Sequence, residues 1–266
     1  MSGFDADWLA LREPADRAAR DGGLVALLAA HLERPAKKPA SLLDIGCGTG
    51  STWRSLHAAL PASTRWQLLD DDPLLLAAAK RRIGPDAGVL FRRHDLNDLA
   101  GLPLQGVDAV TASALFDLCS EDFCRKFVAG LAEHRCALYA ALSYDGITAW
   151  LPAHPLDGRA LADFNRHQRT EKGFGPALGP DATEVLRTEL EAAGYTVHIA
   201  SSCWSMGADQ AALQLAFLNG FETPLREIGG LSCAEVDDWL SFRRAHTLEA
   251  ANSCRVGHLD LLALPG

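Results

Sequence analysis

No stretch of this 266-residue chain is apolar for long enough to cross a bilayer. The longest apolar runs, such as Leu24 to Ala30, fall well short of the roughly 20 residues a spanning helix needs. The N-terminus lacks the basic-then-apolar order of a secretory signal and carries Asp5 and Asp7 instead, so a cytoplasmic protein without a membrane partner is expected. Positive charge is in deficit. Lys plus Arg number 25 against 34 Asp plus Glu, a net charge of −9 that repels polyanions and speaks against a nucleic-acid partner. The seven cysteines, at 47, 119, 124, 136, 203, 233 and 254, form no CxxC pair and read as free thiols of a reducing compartment. The nine histidines include no HExxH or related spacing, and no metal is expected. Repeats and low-complexity tracts are missing as well, and no linker divides the chain, so it reads as one domain.

What is present is an alternation of short apolar runs and helical patterns. Residues 15–34 predict an amphipathic helix, with Leu24, Leu27, Leu28 and Leu32 at helical spacing before Pro35 ends it and a short hinge, Pro35 to Pro39, follows. Strands are predicted at 41–45, 65–70, 89–93, 107–112, 137–142, 195–200 and 258–264. Helices are predicted at 53–60, from Pro73, at 121–133, 181–193 and 209–218, and after the capping-box pair Ser232 and Glu235. This order predicts an α/β fold: a doubly wound, mostly parallel, seven-stranded Rossmann-like sheet. The stretch 143–180, with its prolines and glycines, is too long for a simple crossover and reads as an inserted helical cap or lid. The domain then divides into an N-terminal helical segment 1–40, a binding core 41–142, the cap 143–180 and C-terminal strands and helices 181–266.

The informative motif is the turn after the first strand, Asp44-Ile45-Gly46-Cys47-Gly48-Thr49-Gly50. Glycines there let a ligand approach the backbone beyond the carboxyl ends of the strands. The spacing is G-x-G-x-G, whereas the dinucleotide fingerprint requires its third glycine at position 51, which is Ser51. A nucleoside is favoured over a pyrophosphate. Asp70, at the end of the second strand, can accept from both hydroxyls of a ribose, and the run Asp70-Asp71-Asp72 disfavours a 2′-phosphate. Asp72, directly before Pro73, reads as helix N-terminal charge.

These pieces, Leu42 to Gly50, Leu69-Asp70 with Pro73, and His94-Asp95-Leu96, resemble the class I S-adenosylmethionine-dependent methyltransferases over roughly residues 40–145. The resemblance implies S-adenosyl-L-methionine as cofactor, held by Asp44, Gly46, Cys47, Gly48 and Gly50 of the loop. By the same resemblance Asp70 and Asp71 meet the ribose, Asp95 and the Leu96 amide meet the adenine, and Ala112 and Ser113 meet the methionine part. Asp95, with Asn97 and Asp98 close by, has a second reading as a turn or cap residue. Trp8 to Arg12 suits either a surface helix or a segment folded over the cofactor.

A methyltransferase needs an acceptor aligned with the sulfonium and shielded from water, and for a hydroxyl acceptor a general base helps. The candidate catalytic residues are Tyr144, His154 and His167. His167 shares a helical face with Ala160, Leu161 and Phe164, which also suits a packed core histidine. Arg166, Arg169 and Lys172 suit either an anionic small-molecule acceptor or a solvated charged face with Asp163 and Glu171. Gly173, Gly175 and Gly179 give the following loop freedom to move. Asp117 falls where similar methyltransferases often carry His or an aromatic residue. The alternative readings are a NAD-dependent oxidoreductase on a related fold, or an S-adenosylmethionine-binding protein without methyl transfer.

Overall fold

The computed structural model describes residues 5–33 and 38–266. The sequence-predicted helix stop at Pro35 and part of the hinge after it lie outside the described residues. The helical N-terminal segment is two helices, α1 (Ala6–Ala19) and α2 (Gly22–Leu32). Asp21 breaks them apart by turning its carboxylate onto the Leu24 amide at 2.8 Å, an N-cap stronger than the continuous apolar spacing.

The strands are β1 (Ser41–Ile45), β2 (Arg65–Asp70), β3 (Leu90–Arg93), β4 (Ala109–Ser113), β5 (Ala137–Leu151), β6 (Tyr195–Ser201), β7 (Trp204–Met206) and β8 (Ser253–Pro265). Between them lie α3 (Ser51–Leu56), α4 (Pro73–Ile83), α5 (Glu121–His134), α6 (Asp157–Gln168), α7 (Ala182–Ala192), α8 (Ala211–Ile228) and α9 (Cys233–His246). The sheet order is β3-β2-β1-β4-β5-β8-β6, with β7 paired to β8. The first five strands run parallel, and β8 is antiparallel to β5, β6 and β7. The α/β reading holds, with eight strands where seven were expected.

Side-chain alternation along each strand assigns the two faces. Leu43, Ile45, Val110, Ala112, Leu138 and Ala140 pack with Phe123, Phe127 and Leu131 of α5 and Leu186 and Leu190 of α7. Leu42, Leu68, Ala109 and Tyr139 pack on the other face with Leu24 and Leu28 of α2 and Leu56 of α3. A third cluster joins Tyr144, Trp150, Trp204 and Val256 to Phe221, Leu225, Val236 and Trp239.

That third cluster explains two differences from the expected elements. β5 does not stop at Leu142. Tyr144-Asp145-Gly146 reads as a turn, but it forms register shifts against β8, with Leu142 at φ 57° and Gly146 at φ 85°, and the strand resumes to carry Trp150 into the core. The segment after β5 therefore begins as sheet and becomes helical only at α6. Likewise α8 runs through Asn219-Gly220 to Ile228, because burial of Leu218, Phe221 and Leu225 outweighs the roughly 1 kcal/mol that a mid-helix glycine costs. Gly229, at φ 67°, provides the stop instead.

Candidate functional site

The strand order changes direction at β1, which has β2 on one side and β4 on the other. Beyond the carboxyl ends of these strands opens a cavity of about 360 Å³. Residues following β3 and residues following β4 both line it, and those strands stand three spacings apart, about 14 Å. The site is thus an elongated cleft along the strand ends.

Its floor is the glycine turn. Gly46 and Gly48 have positive φ, 60° and 52°, and a side chain at Gly48 would meet Leu9 of α1 at 3.1 Å. Gly46, Cys47 and Gly48 line the cleft, while Gly50 faces α4, where a Cβ would sit 2.8 Å from Ile83. The third glycine serves packing beneath the loop. Asp70 joins the turn to β2: its Oδ2 accepts from the Gly48 amide at 2.8 Å and its Oδ1 from the Asp72 amide at 2.9 Å. Burial, opposed by those two amides, raises its carboxyl above the usual range. Asp71 also lines the cleft and pairs with Arg93 at 3.0 Å. Asp72 caps α4 on the Leu74 amide at 2.7 Å, the helix role read from its place before Pro73.

His94, Asp95, Leu96 and Asn97 line the end beyond β3. Asp95 Oδ1 accepts from the amide and the side chain of Asn97, at 2.9 and 3.0 Å, so the turn and the cleft wall are one structure. Beyond β4 the wall is Ser113, Ala114, Leu115 and Leu118; Ala112 points into the core.

Asp44 lies under the turn, fully buried, and burial pushes its carboxyl up to about 7. Its Oδ1 accepts from Thr111 at 2.7 Å, and its Oδ2 has no partner among the described residues. Opposite in charge, Arg20 donates from Nη2 to Ser113 at 2.9 Å, while its buried Nε and Nη1 lack partners. Ser113 and Thr52, the polar neighbours of this pair, line the cleft. Two groups of opposite charge beside one cavity, each with a shielded polar atom left without a partner, suit a zwitterion.

The sequence left α1 undecided between surface and cover, and the structure lays it over the cleft through Leu9, Arg12 and Asp16. Arg12 is held by both oxygens of Asp16, at 2.8 and 3.1 Å, and stacks over Trp204 at 4.9 Å. Glu13, one residue on, binds Arg54 at 2.6 Å and Arg82 at 2.8 Å, and both arginines reach Thr49 of the glycine turn. Glu13, Arg20 and Thr52 were not read from the sequence as near the site, and Arg12 only within the undecided stretch Trp8 to Arg12. The i, i+4 spacings Arg12–Asp16 and Glu13–Arg17 were the available signal, though equally that of a solvated helix face.

The general base sought among three residues is not on the cleft wall. Tyr144 donates its hydroxyl to Asn165 at 2.9 Å and packs against Phe164. His154 accepts from the Leu156 amide at 3.2 Å and packs tilted against Phe242, and it does not line the cleft. His167 stands one layer back: its Nδ1 lies 3.2 Å from Lys172 Nζ and its Nε2 3.0 Å from Glu227. Lys172 lines the cleft with Gly173 and Phe174. Of the rest of the basic cluster, Arg166 pairs with Asp163 and Arg169 with Asp181. Asp117 is half-buried with its Oδ1 shielded from solvent and without a partner among the described residues, and desolvation pushes its carboxyl up to about 6.

Residues 42–135 match the family model described as a methyltransferase domain. Over this stretch the chain is similar to the class I S-adenosylmethionine-dependent methyltransferases. The family's cofactor is S-adenosylmethionine, and the match spans the glycine turn, Asp70 and Asp95. Among solved structures, the methyltransferase fold is shared with a cyclopropane-fatty-acyl-phospholipid synthase-like protein from Lactobacillus casei. That protein is 18% identical with TM-score 0.55, over 99% of this chain and 96% of that one. A cyclopropane synthase from Mycobacterium tuberculosis is 15% identical with TM-score 0.52, over 98% and 94%. The chain spans 52% of the length of a Haemonchus contortus phosphoethanolamine N-methyltransferase, 13% identical over 91% of this chain, with TM-score 0.44. No curated protein sequence matches this chain. Among the described residues no helix is long and apolar enough to cross a membrane, and no cluster of His, Cys, Asp or Glu is arranged to hold a metal ion.

Proposed function

We infer that this methyltransferase transfers the methyl group of S-adenosylmethionine to a small-molecule acceptor by in-line displacement. The observation that carries the reading is the cleft itself, acidic along β2 and β3 and roofed at the β4 end by α1 and the loop at 172–174. An acceptor reaching that end must fit in what remains of a cavity of about 360 Å³, which suits a small molecule.

The residues present fit the cofactor. Asp70, with one lone-pair set of each oxygen already held by backbone, presents a fixed acceptor for ribose hydroxyls, and Asp71 stands beside it. Asp95 and Leu96 suit the adenine edge, and the open backbone at Gly46 and Gly48 admits close approach. The unsatisfied Asp44 Oδ2 and Arg20 N–H groups suit the ammonium and carboxylate of the amino-acid part, beside Ser113. When bound, the cofactor supplies an electrophilic sulfonium methyl group. What this chain supplies is alignment and exclusion of water, through Leu9 and Arg12 above and Leu115, Leu118 and Phe174 at the side. With no imidazole or phenol of the three candidates on the wall, an acceptor that reacts without a protein base suits this cleft. Unpaired cysteines, with Cys47, Cys119, Cys124, Cys136 and Cys254 buried, support a cytoplasmic setting.

Calorimetric titration with S-adenosylhomocysteine and with NAD tests the cofactor; binding of NAD alone overturns the reading. Transfer of labelled methyl into the low-molecular-mass fraction of a cell extract tests the acceptor class. Label entering only protein or nucleic acid, or no acceptor at all, overturns it.

A further inference from the structure

The cations at the cleft differ in what neutralises them. Arg12 is spent on Asp16, and of the cluster that follows Asp163 the two arginines are spent on Asp163 and Asp181. Lys172 is different. Among the described residues no carboxylate lies within ion-pair distance of it, because the His167 ring stands between its Nζ and Glu227. A protonated amine has only donors, so Nδ1 of His167 accepts its proton and Nε2 carries the proton given to Glu227. One N–H of the ammonium is thereby fixed, and the other two are left for the cleft.

The walls near Lys172 are apolar: Leu115, Leu118 and Phe174. We propose that the acceptor is an apolar body bearing one oxyanion, a carboxylate or a phosphate, and that Lys172 binds that oxyanion while His167 and Glu227 position the ammonium. This rests on the methyl-transfer reading of the same cleft. Burial pushes the Lys172 amine below its usual range, with Glu227 opposing, so an oxyanion in contact would offset part of that desolvation.

The probes are benzoate, phenyl phosphate and the neutral benzyl alcohol, titrated by ligand-observed NMR into the full chain, with and without S-adenosylhomocysteine. At least one anion is expected to bind about tenfold or more tighter than benzyl alcohol. Which one wins separates carboxylate from phosphate. Lys172→Met removes the preference and Lys172→Arg retains most of it. His167→Leu weakens anion binding, whereas His167→Gln, whose amide oxygen can accept the same N–H, restores it. Urea midpoints check that each variant folds. If Lys172→Met does not, the wild-type preference and the Lys172→Arg result still decide. Benzyl alcohol binding as well as both anions, or anions binding Lys172→Met as well as wild type, overturns the proposal. Loss of S-adenosylhomocysteine binding in the wild type instead overturns the methyl-transfer reading, and the anion preference is read separately on the cofactor-free protein.

Discussion

Asp70 takes two backbone amides and still faces the cleft, so it both shapes the glycine turn and presents a carboxylate to a ligand. Replacing it with alanine leaves the Gly48 amide and the ligand hydroxyls without an acceptor. Asp70→Ala is expected to weaken S-adenosylhomocysteine binding by about 1–3 kcal/mol in a calorimetric titration. Asp44 gives a second prediction, one of sign. Burial disfavours its anion and pushes its carboxyl up to about 7. A ligand ammonium beside it favours the anion, so S-adenosylhomocysteine affinity should rise as pH is raised from about 6 to 8, by at most about tenfold per unit. In Asp44→Asn the affinity should stay flat over that range. Residues such as Gly48 and Asp70 were legible in the sequence because they sit in short connections where one side chain, or its lack, sets the backbone. Lys172 stood in the sequence among three equivalent cations, and only the positions of Asp163 and Asp181 set it apart.

At the element scale, the ends of β4 and β5 carry the constraints. Ala114, directly after β4, has φ 50° and lines the cleft, a conformation that costs an alanine about 1 kcal/mol or more relative to glycine. Ala114→Gly should raise the urea midpoint if relief of that strain exceeds the added freedom of the unfolded chain, so a gain of no more than about 1 kcal/mol is expected. Asp260 on β8 ties three elements together. It accepts from the Tyr139 hydroxyl at 2.8 Å, from the Leu142 amide at 2.8 Å where β5 bulges, and from the Asp21 amide at 3.1 Å between α1 and α2. Asp260→Ala strands two buried donors and one half-buried donor and should cost about 3 kcal/mol or more in equilibrium unfolding. The turn signal in Tyr144-Asp145-Gly146 was real in its local geometry. It misled because a bulge and a turn use the same backbone conformations, and pairing with β8, distant in sequence, decides between them.

For the molecule as a whole, three desolvated groups set opposing responses to pH. Asp44 and Asp117 titrate near 7 and 6 in the folded state, above the unfolded value of 3.8, so the folded protein holds extra protons and loses stability as pH rises through that window. His258, buried and pushed down to about 3, acts the other way: the unfolded chain binds the proton below 6.5, and stability falls as pH drops toward 3. Each slope is at most about 1.4 kcal/mol per pH unit. Between pH 4 and 6 the two carboxyls outweigh the one imidazole. Relative to an Asp44→Asn, Asp117→Asn double variant, the wild type should lose stability as pH rises from 4 to 7, measured as the difference in urea midpoints.

Local chemistry in the sequence determined the parallel α/β core, the glycine turn and the acids at the ends of β2 and β3, because strand periodicity, capping and tight turns act within a few residues. Only the tertiary structure decided that α1 roofs the cleft, that β5 and β8 extend into a ribbon under α8 and α9, and that Tyr144 and His154 turn away from the cleft. It also set Lys172 apart as a cleft-lining cation with no carboxylate in ion-pair distance among the described residues. Those outcomes depend on which burial and which ion pair wins between segments far apart in the chain, and that competition has no local signature.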